Sequence, residues 1–217
     1  MNNDLLLREV NKLSDFLFEH AVGMLKANNR NFANQLKRES KKPPRIMLAV
    51  ASRRRSTLGW YAPNRWIRNE KAISEIAILP DAVNDGVVKA ANVVLHELVH
   101  FINHLCGIVD CSRQGRYHNE YFKSLAEAVG LETFVVKHYG YAWTELTDGT
   151  ARIVKQWSKS NKIDAKVFQF QRQHTPAPRT LQKVACPSCD RFAYVLRSRL
   201  EDTTLVCGKC NRELQVV

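Results

Sequence analysis

The segment "VVLHELVHFINH", Val93–His104, is the most informative part of this 217-residue chain, because it carries three histidines four residues apart in an apolar context. The apolar positions around it follow a helical period: Ala91, Leu95, Leu98, Ile102 and Leu105. This pattern predicts one amphipathic helix from about 87 to 105, with Asp85 as its N-cap. Residues 96–100 then lie beside the apolar face of that helix.

The pattern H-E-L-V-H at residues 96–100 is typical of a zinc site. His96 and His100 lie one helical turn apart and about 40° apart around the axis, so both imidazoles can bind one ion. Zinc lowers the pKa of water, and Glu97 follows the first histidine at the place where a carboxylate can take the water's proton. The sequence therefore predicts a catalytic zinc with Glu97 as general base.

A catalytic zinc usually takes three protein ligands, and two candidates for the third ligand fit the geometry poorly. The metzincin pattern needs a histidine six residues after His100, where this chain has Cys106. His104 continues the spacing of four, but it is displaced about 80° from His96 around the helix. A straight helix rarely directs three ligands at one ion.

Two further candidates lie in "HNEYF", residues 118–122. Glu120 follows Asn119, as in the Asn-Glu pair of the thermolysin-like zincins. His118 is the preferred third ligand, because it opens the next amphipathic helix with Phe122 one turn further on.

Other segments predict an α+β fold, in which a small antiparallel sheet accompanies the H-E-x-x-H helix. The N-terminal residues from about 4 to 28 have a helical apolar period, and three runs predict strands: "RIMLAVAS", "TLGWYAP" and "AISEIAIL". Further on, "ARIVKQWSK" predicts a helix and "AKVFQFQ" a strand. The predicted organisation is a helical segment 1–40, a core 41–160, a connecting segment 161–180 and a C-terminal module 181–217.

The C-terminal module contains two C-x-x-C pairs separated by 17 residues, 190–206. This spacing is typical of a structural zinc bound by four thiolates, and less so of redox-active cysteines. The ligands are Cys186, Cys189, Cys207 and Cys210. The sequence predicts a β zinc ribbon whose two strands are joined by a turn near residues 201–202. Cys106 and Cys111 are interpreted as reduced structural or surface thiols.

The charge distribution favours a polyanionic partner, because the chain carries a formal net charge of +12. In the ribbon, cations alternate with aromatic side chains, which predicts contact with DNA of single-stranded character. The predicted contacts are Arg191, Tyr194, Arg197, Arg199 and Lys209. Phe192 fits the ribbon's own core slightly better, and "SRRRS", Ser52–Ser56, is a second basic candidate.

The chain has no apolar run of membrane-spanning length and no basic region ahead of its N-terminal leucines. We therefore expect an intracellular protein, in the cytoplasm, nucleoid or nucleus, that is neither secreted nor membrane-bound. A monomer is expected.

Four of these motifs together resemble the SprT-like (Spartan-type) family of zinc metalloproteases: "TLGWY", "AISEIAILP", "VVLHELVHFINH" and "HNEYF". The resemblance covers roughly residues 40–135 and the C-terminal zinc module. Asn119 stands where glycine is common in the family, and asparagine tolerates a left-handed backbone nearly as well.

The resemblance implies a zinc peptidase with His96, His100 and His118 as ligands and Glu97 as general base. It also implies that the strand "AISEIAIL" lies along the cleft and that the ribbon binds DNA. The expected activity is hydrolysis of proteins bound or crosslinked to DNA. Two alternatives remain open: a protease with a dedicated substrate that does not depend on DNA, and a non-catalytic DNA-binding zinc adaptor.

Overall fold

A computed structural model describes most of the chain, namely residues 3–28, 34, 36, 38–40, 42–49, 58–168, 181–200 and 203–217. The chain divides into two compact units, residues 1–171 and 172–217. The architecture is mixed α+β with small sheets, which confirms the predicted class. The basic run Ser52–Ser56 and the linker-like residues 173–180 lie outside the described residues.

The helices of the first unit surround one central helix, α3. Their bounds are α1 Asn3–Asn28, α2 Pro80–Val83, α3 Val87–Leu105, α4 Glu120–Ala128 and α5 Asp148–Ser160. The predicted core face of α3 is confirmed, because Ala91, Leu95, Leu98 and Ile102 are fully buried. The predicted N-cap is wrong: Gly86 occupies that position with φ +96°, and Asp85 forms an ion pair with Lys89 one turn into the helix.

The first sheet contains β1 Ile46–Leu48, β2 Gly59–Arg68 and β3 Lys71–Ile78 in the order β1-β3-β2. The predicted purely antiparallel sheet is wrong, because β1 runs parallel to β3 while β2 runs antiparallel to it. A two-residue turn with positive φ at Asn69 and Glu70 closes the β2–β3 hairpin. The β2–β3 hairpin meets β1 through β3, the strand of the hairpin that runs in the same direction as β1.

A second sheet, which the sequence did not predict, contains β4 Cys111–Ser112, β5 Tyr117–His118, β6 Leu131–Val136 and β7 Gly140–Leu146. Its order is β4-β5-β7-β6. The strand predicted for "AKVFQFQ" is also wrong within its described part. Residues 165–168 form a 3₁₀ helix that buries Val167 and Phe168 in the core.

The second unit contains β8 Leu181–Ala185, β9 Phe192–Leu196 and β10 Gln215–Val216 in the order β10-β8-β9. The predicted partner of β9 is wrong, because β9 pairs with β8 rather than with a strand after residues 201–202. The first C-x-x-C pair itself turns the chain between these strands, and the Cys186 N–H donates to the Arg191 carbonyl at 2.9 Å. Residues 201 and 202 are outside the described part of the chain.

Among the residues described, no helix combines the length and the apolar character needed to cross a membrane.

Candidate metal centres

Three histidines converge in the first unit with one ring nitrogen each. The Nε2 atom of His118 lies 3.2 Å from that of His96 and 3.1 Å from that of His100. Tetrahedral zinc with Zn–N bonds of about 2.0–2.1 Å separates two nitrogen ligands by about 3.3 Å. The three side chains are therefore spaced as ligands of one metal ion, and among the described residues no carboxylate joins these three Nε2 atoms.

His118 reaches the group from a strand, not from a helix as predicted. It ends β5, and Asn119 then caps α4 by accepting hydrogen bonds from the backbone N–H groups of Tyr121 and Phe122. Asn119 has φ −94°, so the left-handed tolerance expected of this asparagine is not used. The asparagine side chain supplies N-cap hydrogen bonds that a glycine, which has no side-chain acceptor, could not supply.

A glycine on the neighbouring strand permits the position of His118. The His118 N–H donates to the Tyr139 carbonyl at 2.9 Å, and the next residue, Gly140, has φ +66°. A Cβ atom at Gly140 would lie 2.0 Å from the His118 carbonyl oxygen. Only glycine allows β7 to approach β5 this closely.

Phe122 packs against all three imidazoles on one side of the site. Its ring centroid lies 4.7 Å from those of His96 and His100 and 4.6 Å from that of His118. Phe122 is fully buried, so the histidines rest on an apolar surface that excludes water on one side.

The other ring nitrogens of two histidines have their own partners, and the sequence did not predict these. The Nδ1 atom of His100 lies 2.8 Å from the Asp110 carboxylate, and that of His96 lies 3.1 Å from the Thr144 hydroxyl. Asn103 also donates to Asp110, at 3.0 Å. Such partners fix the orientation of each ring and leave its Nε2 atom directed at the point where the three histidines converge.

These contacts change the protonation behaviour of the metal-free site. Burial, which opposes a charged imidazole, is outweighed by the hydrogen bond and charge of Asp110, and the pKa of His100 rises to about 10. Burial and the nearby His100 lower the pKa of His118 to about 4, and burial also lowers the pKa of His96. The pKa of about 4 keeps the His118 imidazole neutral at physiological pH, which is the form that binds metals, whereas a metal ion must displace the proton of His100.

Replacing Asp110 with asparagine is expected to weaken zinc affinity at the histidine site by about 10–100-fold, because His100 loses the carboxylate that orients it. Competition with a chromophoric chelator measures this change. Asp85→Asn, near the start of the same helix, is the matched control and should leave the affinity unchanged. Equal affinities for both variants would rule out orientation by Asp110.

Glu97 is almost fully buried, with 5% of its surface exposed, and it lies next to the start of β2. Burial raises the pKa of Glu97 to about 7, although the His100 charge and a hydrogen bond from the Tyr61 backbone N–H favour its ionised form. A Cβ atom at Gly59 would lie 3.2 Å from the Glu97 carboxylate and 3.0 Å from the Ala77 carbonyl. Glycine therefore permits close approach of the β2 backbone to this carboxylate.

The raised pKa of Glu97 predicts a pH-dependent cost to stability. As pH rises from 4.5 to about 7, the unfolded state releases this proton first, so the metal-free fold loses stability through this window. Glu97→Gln removes the cost, and the metal-free variant is expected to be about 3 kcal/mol more stable at pH 8. Urea unfolding at pH 8 and pH 4.5 measures the difference, which should shrink at the lower pH.

The strand beside the histidine site is β2, whereas the sequence predicted "AISEIAIL", the segment of β3. Residues Ile76–Ile78 of β3 are paired on both sides, with β1 and with β2. That part of β3 has no free edge for an extended peptide. Among the described strands, β2 is at the edge of the sheet, and its first residue, Gly59, lies close to the Glu97 carboxylate.

The rejected ligand candidates do not join the three histidines. His104 is exposed and packs against the Tyr61 ring, with centroids 5.9 Å apart. The Glu120 side chain is 72% exposed and accepts a hydrogen bond from the Tyr141 hydroxyl. Cys111, which was not among those candidates, lies 4.0 Å from the Nδ1 atom of His100, on the side that Asp110 occupies.

The four cysteines of the second unit also form a group able to hold a metal ion. All four sulfur atoms lie within 4.8 Å of one another, and those of Cys189 and Cys207 are 3.7 Å apart. Tetrahedral zinc with Zn–S bonds of about 2.3 Å separates two sulfurs by about 3.8 Å. Backbone N–H groups of Lys209 and Cys210 lower the pKa of Cys207 to about 6, which favours a thiolate ligand.

Cys207→Ser is expected to remove one metal ion per chain and to unfold the second unit, because that unit buries few apolar side chains. Metal analysis and proton NMR measure the two effects. Thr204→Ala, a change at an exposed position nearby, is the control. Wild-type metal content in Cys207→Ser would contradict a four-thiolate site.

The predicted nucleic-acid contacts lie on exposed parts of the second unit. Tyr194 is 61% exposed on β9, and the four cations Arg191, Arg197, Arg199 and Lys209 are exposed as well. The placement of Phe192 in the ribbon's core is wrong, because this side chain is 57% exposed. It packs edge-on against Tyr194, with centroids 5.8 Å apart, and the Lys183 ammonium lies 4.8 Å from its ring centroid.

No family model matches this chain, and the searches of curated proteins and of solved structures gave no match either.

Proposed function

We propose that this protein is a zinc-dependent metalloendopeptidase of the SprT-like type that hydrolyses proteins bound or crosslinked to DNA. The observation that supports the peptidase activity best is the convergence of three Nε2 atoms, with that of His118 3.2 and 3.1 Å from the other two, next to a buried carboxylate. A purely structural metal site has no need of an acid with a pKa of about 7 beside it.

In this proposal His96, His100 and His118 hold a catalytic zinc, and the four cysteines hold a structural one. Zinc, when bound, supplies Lewis acidity that polarises the scissile carbonyl and acidifies water. Glu97 takes the proton of the attacking water and delivers it to the leaving amine. A carboxylate of pKa about 7 is suited to both steps at neutral pH.

The outer edge of β2, which pairs with no other described strand, provides a place for the substrate backbone. The Leu79 N–H donates to the Leu58 carbonyl at 2.8 Å, so these two residues form a hydrogen-bonded pair. Hydrogen-bonded and non-hydrogen-bonded pairs alternate along an antiparallel ladder, so every second residue of β2 bonds to β3. The backbone groups of Gly59 and Tyr61 therefore point away from β3. The Tyr61 N–H binds Glu97, and Gly59 remains available to pair with an extended peptide.

The DNA dependence is proposed from charge and from the exposed aromatic face of the ribbon. The net charge of +12 attracts phosphates, and Phe192 and Tyr194 offer ring faces on which unpaired bases can stack. Binding to DNA would concentrate the protease near protein substrates on the same strand.

Histone cleavage by the zinc-loaded protein, with and without a single-stranded oligonucleotide, tests this function. We expect cleavage that requires the oligonucleotide and weakens in Tyr194→Ala. Cleavage independent of the oligonucleotide would favour a protease with a dedicated substrate. Absence of cleavage despite full zinc content and tight DNA binding would favour a non-catalytic adaptor.

A further inference from the structure

Two tryptophans on the β2–β3 hairpin share one buried carboxylate. The Nε1 atoms of Trp60 and Trp66 donate to the two oxygens of Glu75 at 3.1 and 2.6 Å. Glu75 is only 6% exposed, whereas Trp66 is 53% exposed. The carboxylate therefore lies beneath indole rings whose orientation it fixes.

The strand pairing places cations on the same face as these rings. Trp66 pairs with Ile73 and Arg68 pairs with Lys71, so all four side chains project from one side of the hairpin. The opposite side carries Tyr61 and Ile76, which pack on the core. We call the exposed surface formed by Trp60, Trp66, Arg68, Lys71 and Ile73 the tryptophan face.

The charge at the end of this hairpin is positive. Arg65, Arg68 and Lys71 are exposed, and Glu70 in the turn is the exposed carboxylate between them. Among the described residues, no ion pair involves any of these three cations. Their charges remain available to an anionic partner.

An exposed indole with a fixed orientation is suited to stacking. The hydrogen bond to Glu75 restrains Trp66 before any partner binds, so little side-chain entropy is lost on contact. Unpaired bases stack on aromatic rings while nearby cations meet the phosphates, and this combination is typical of single-strand binding. A membrane surface or an acidic peptide would also use the cations, but neither requires the indole to be held in one orientation by a buried carboxylate, as stacking on a base does.

We propose that the tryptophan face binds single-stranded nucleic acid, with a base stacked on Trp66 and phosphates near Arg68 and Lys71. This inference rests on the proposed function, because it places a second contact with DNA on the protease unit itself. Tyr61, whose backbone N–H donates to Glu97, lies five residues before Trp66 on the same strand, roughly 15 Å away. A strand bound there holds an attached protein within reach of Glu97.

Fluorescence anisotropy of a labelled oligo-dT with the full zinc-loaded chain tests the proposal. Trp66→Ala is expected to raise Kd about tenfold, and Trp66→Phe, which keeps a stacking ring, to raise it less. Arg68→Gln and Lys71→Gln should each lower the salt dependence of log Kd by roughly one. Ile67→Ala, on the opposite side of the strand, is the matched control and should bind like the wild type.

The same titrations in the Tyr194→Ala background separate this face from the ribbon. Losses that add to that of Tyr194→Ala support two contacts. Wild-type affinity for oligo-dT in Trp66→Ala, Arg68→Gln and Lys71→Gln would overturn the proposal. It would also be overturned if these variants kept oligo-dT binding and lost only the binding of anionic vesicles or of an acidic peptide. These binding results do not depend on catalysis, so a failure here leaves DNA-dependent cleavage as a separate result.

Discussion

Glu97→Gln is expected to lower the rate of peptide hydrolysis by about 10³-fold or more, because the site loses the group that takes the proton from water. The amide has nearly the same size and can still accept the Tyr61 N–H, so the surrounding structure should persist. Initial rates of cleavage of a quenched fluorescent peptide, measured at pH 7 with equal zinc loading, give the effect.

The control for Glu97→Gln is Glu132→Gln, which changes an exposed carboxylate on β6. Zinc content by mass spectrometry should be the same in both variants and in the wild type. A Glu97→Gln protein that retains zinc and cleaves within about threefold of the wild-type rate would contradict the assignment of Glu97 as general base.

His118→Ala is expected to lower the zinc content from about two ions per chain to about one, and to abolish cleavage. The two histidines on α3 would remain, but two protein ligands rarely retain a catalytic zinc against a chelator. Elemental analysis after dialysis against a weak chelator measures the loss. The remaining ion should be the one held by the four cysteines.

Glu120→Gln is the matched variant, because it tests the other residue that the sequence offered as third ligand. Its side chain is exposed and bonded to Tyr141, so the variant should keep both ions and full activity. Loss of one ion from Glu120→Gln, with retention in His118→Ala, would reverse the assignment.

The extent of the helix that carries the first two histidines could be predicted, although its N-cap could not, because the signals for a helix are local. The apolar period of α3 and the break before Val87 define both its ends. The small strands β4 and β5 could not be predicted, since two-residue strands have no periodicity and depend on pairing with β7. The sequence therefore predicts a helix at His118, where the structure has the end of β5. The spacing of His118 from Phe122 nevertheless predicts its place beside the other two histidines.

The residues that orient the histidines could not be predicted from the sequence, for a different reason. A metal-binding histidine is expected to have a partner at its second nitrogen, but the chain has 21 acidic residues and many hydroxyls. Asp110 follows α3 in a loop, and Thr144 lies 48 positions from His96. Only the tertiary fold selects them. Gly59 likewise carries no local signal that it adjoins a carboxylate.

The close approach at Gly59 has a consequence for how this site can change over time. Because backbone rather than a side chain abuts Glu97, the reach of the base is independent of the residue types elsewhere on β2. Substitutions on the outer face of that strand can alter which partners are recognised without displacing the proton acceptor. The side chains of β2 that recognise a partner can therefore change during evolution while Glu97 keeps its position.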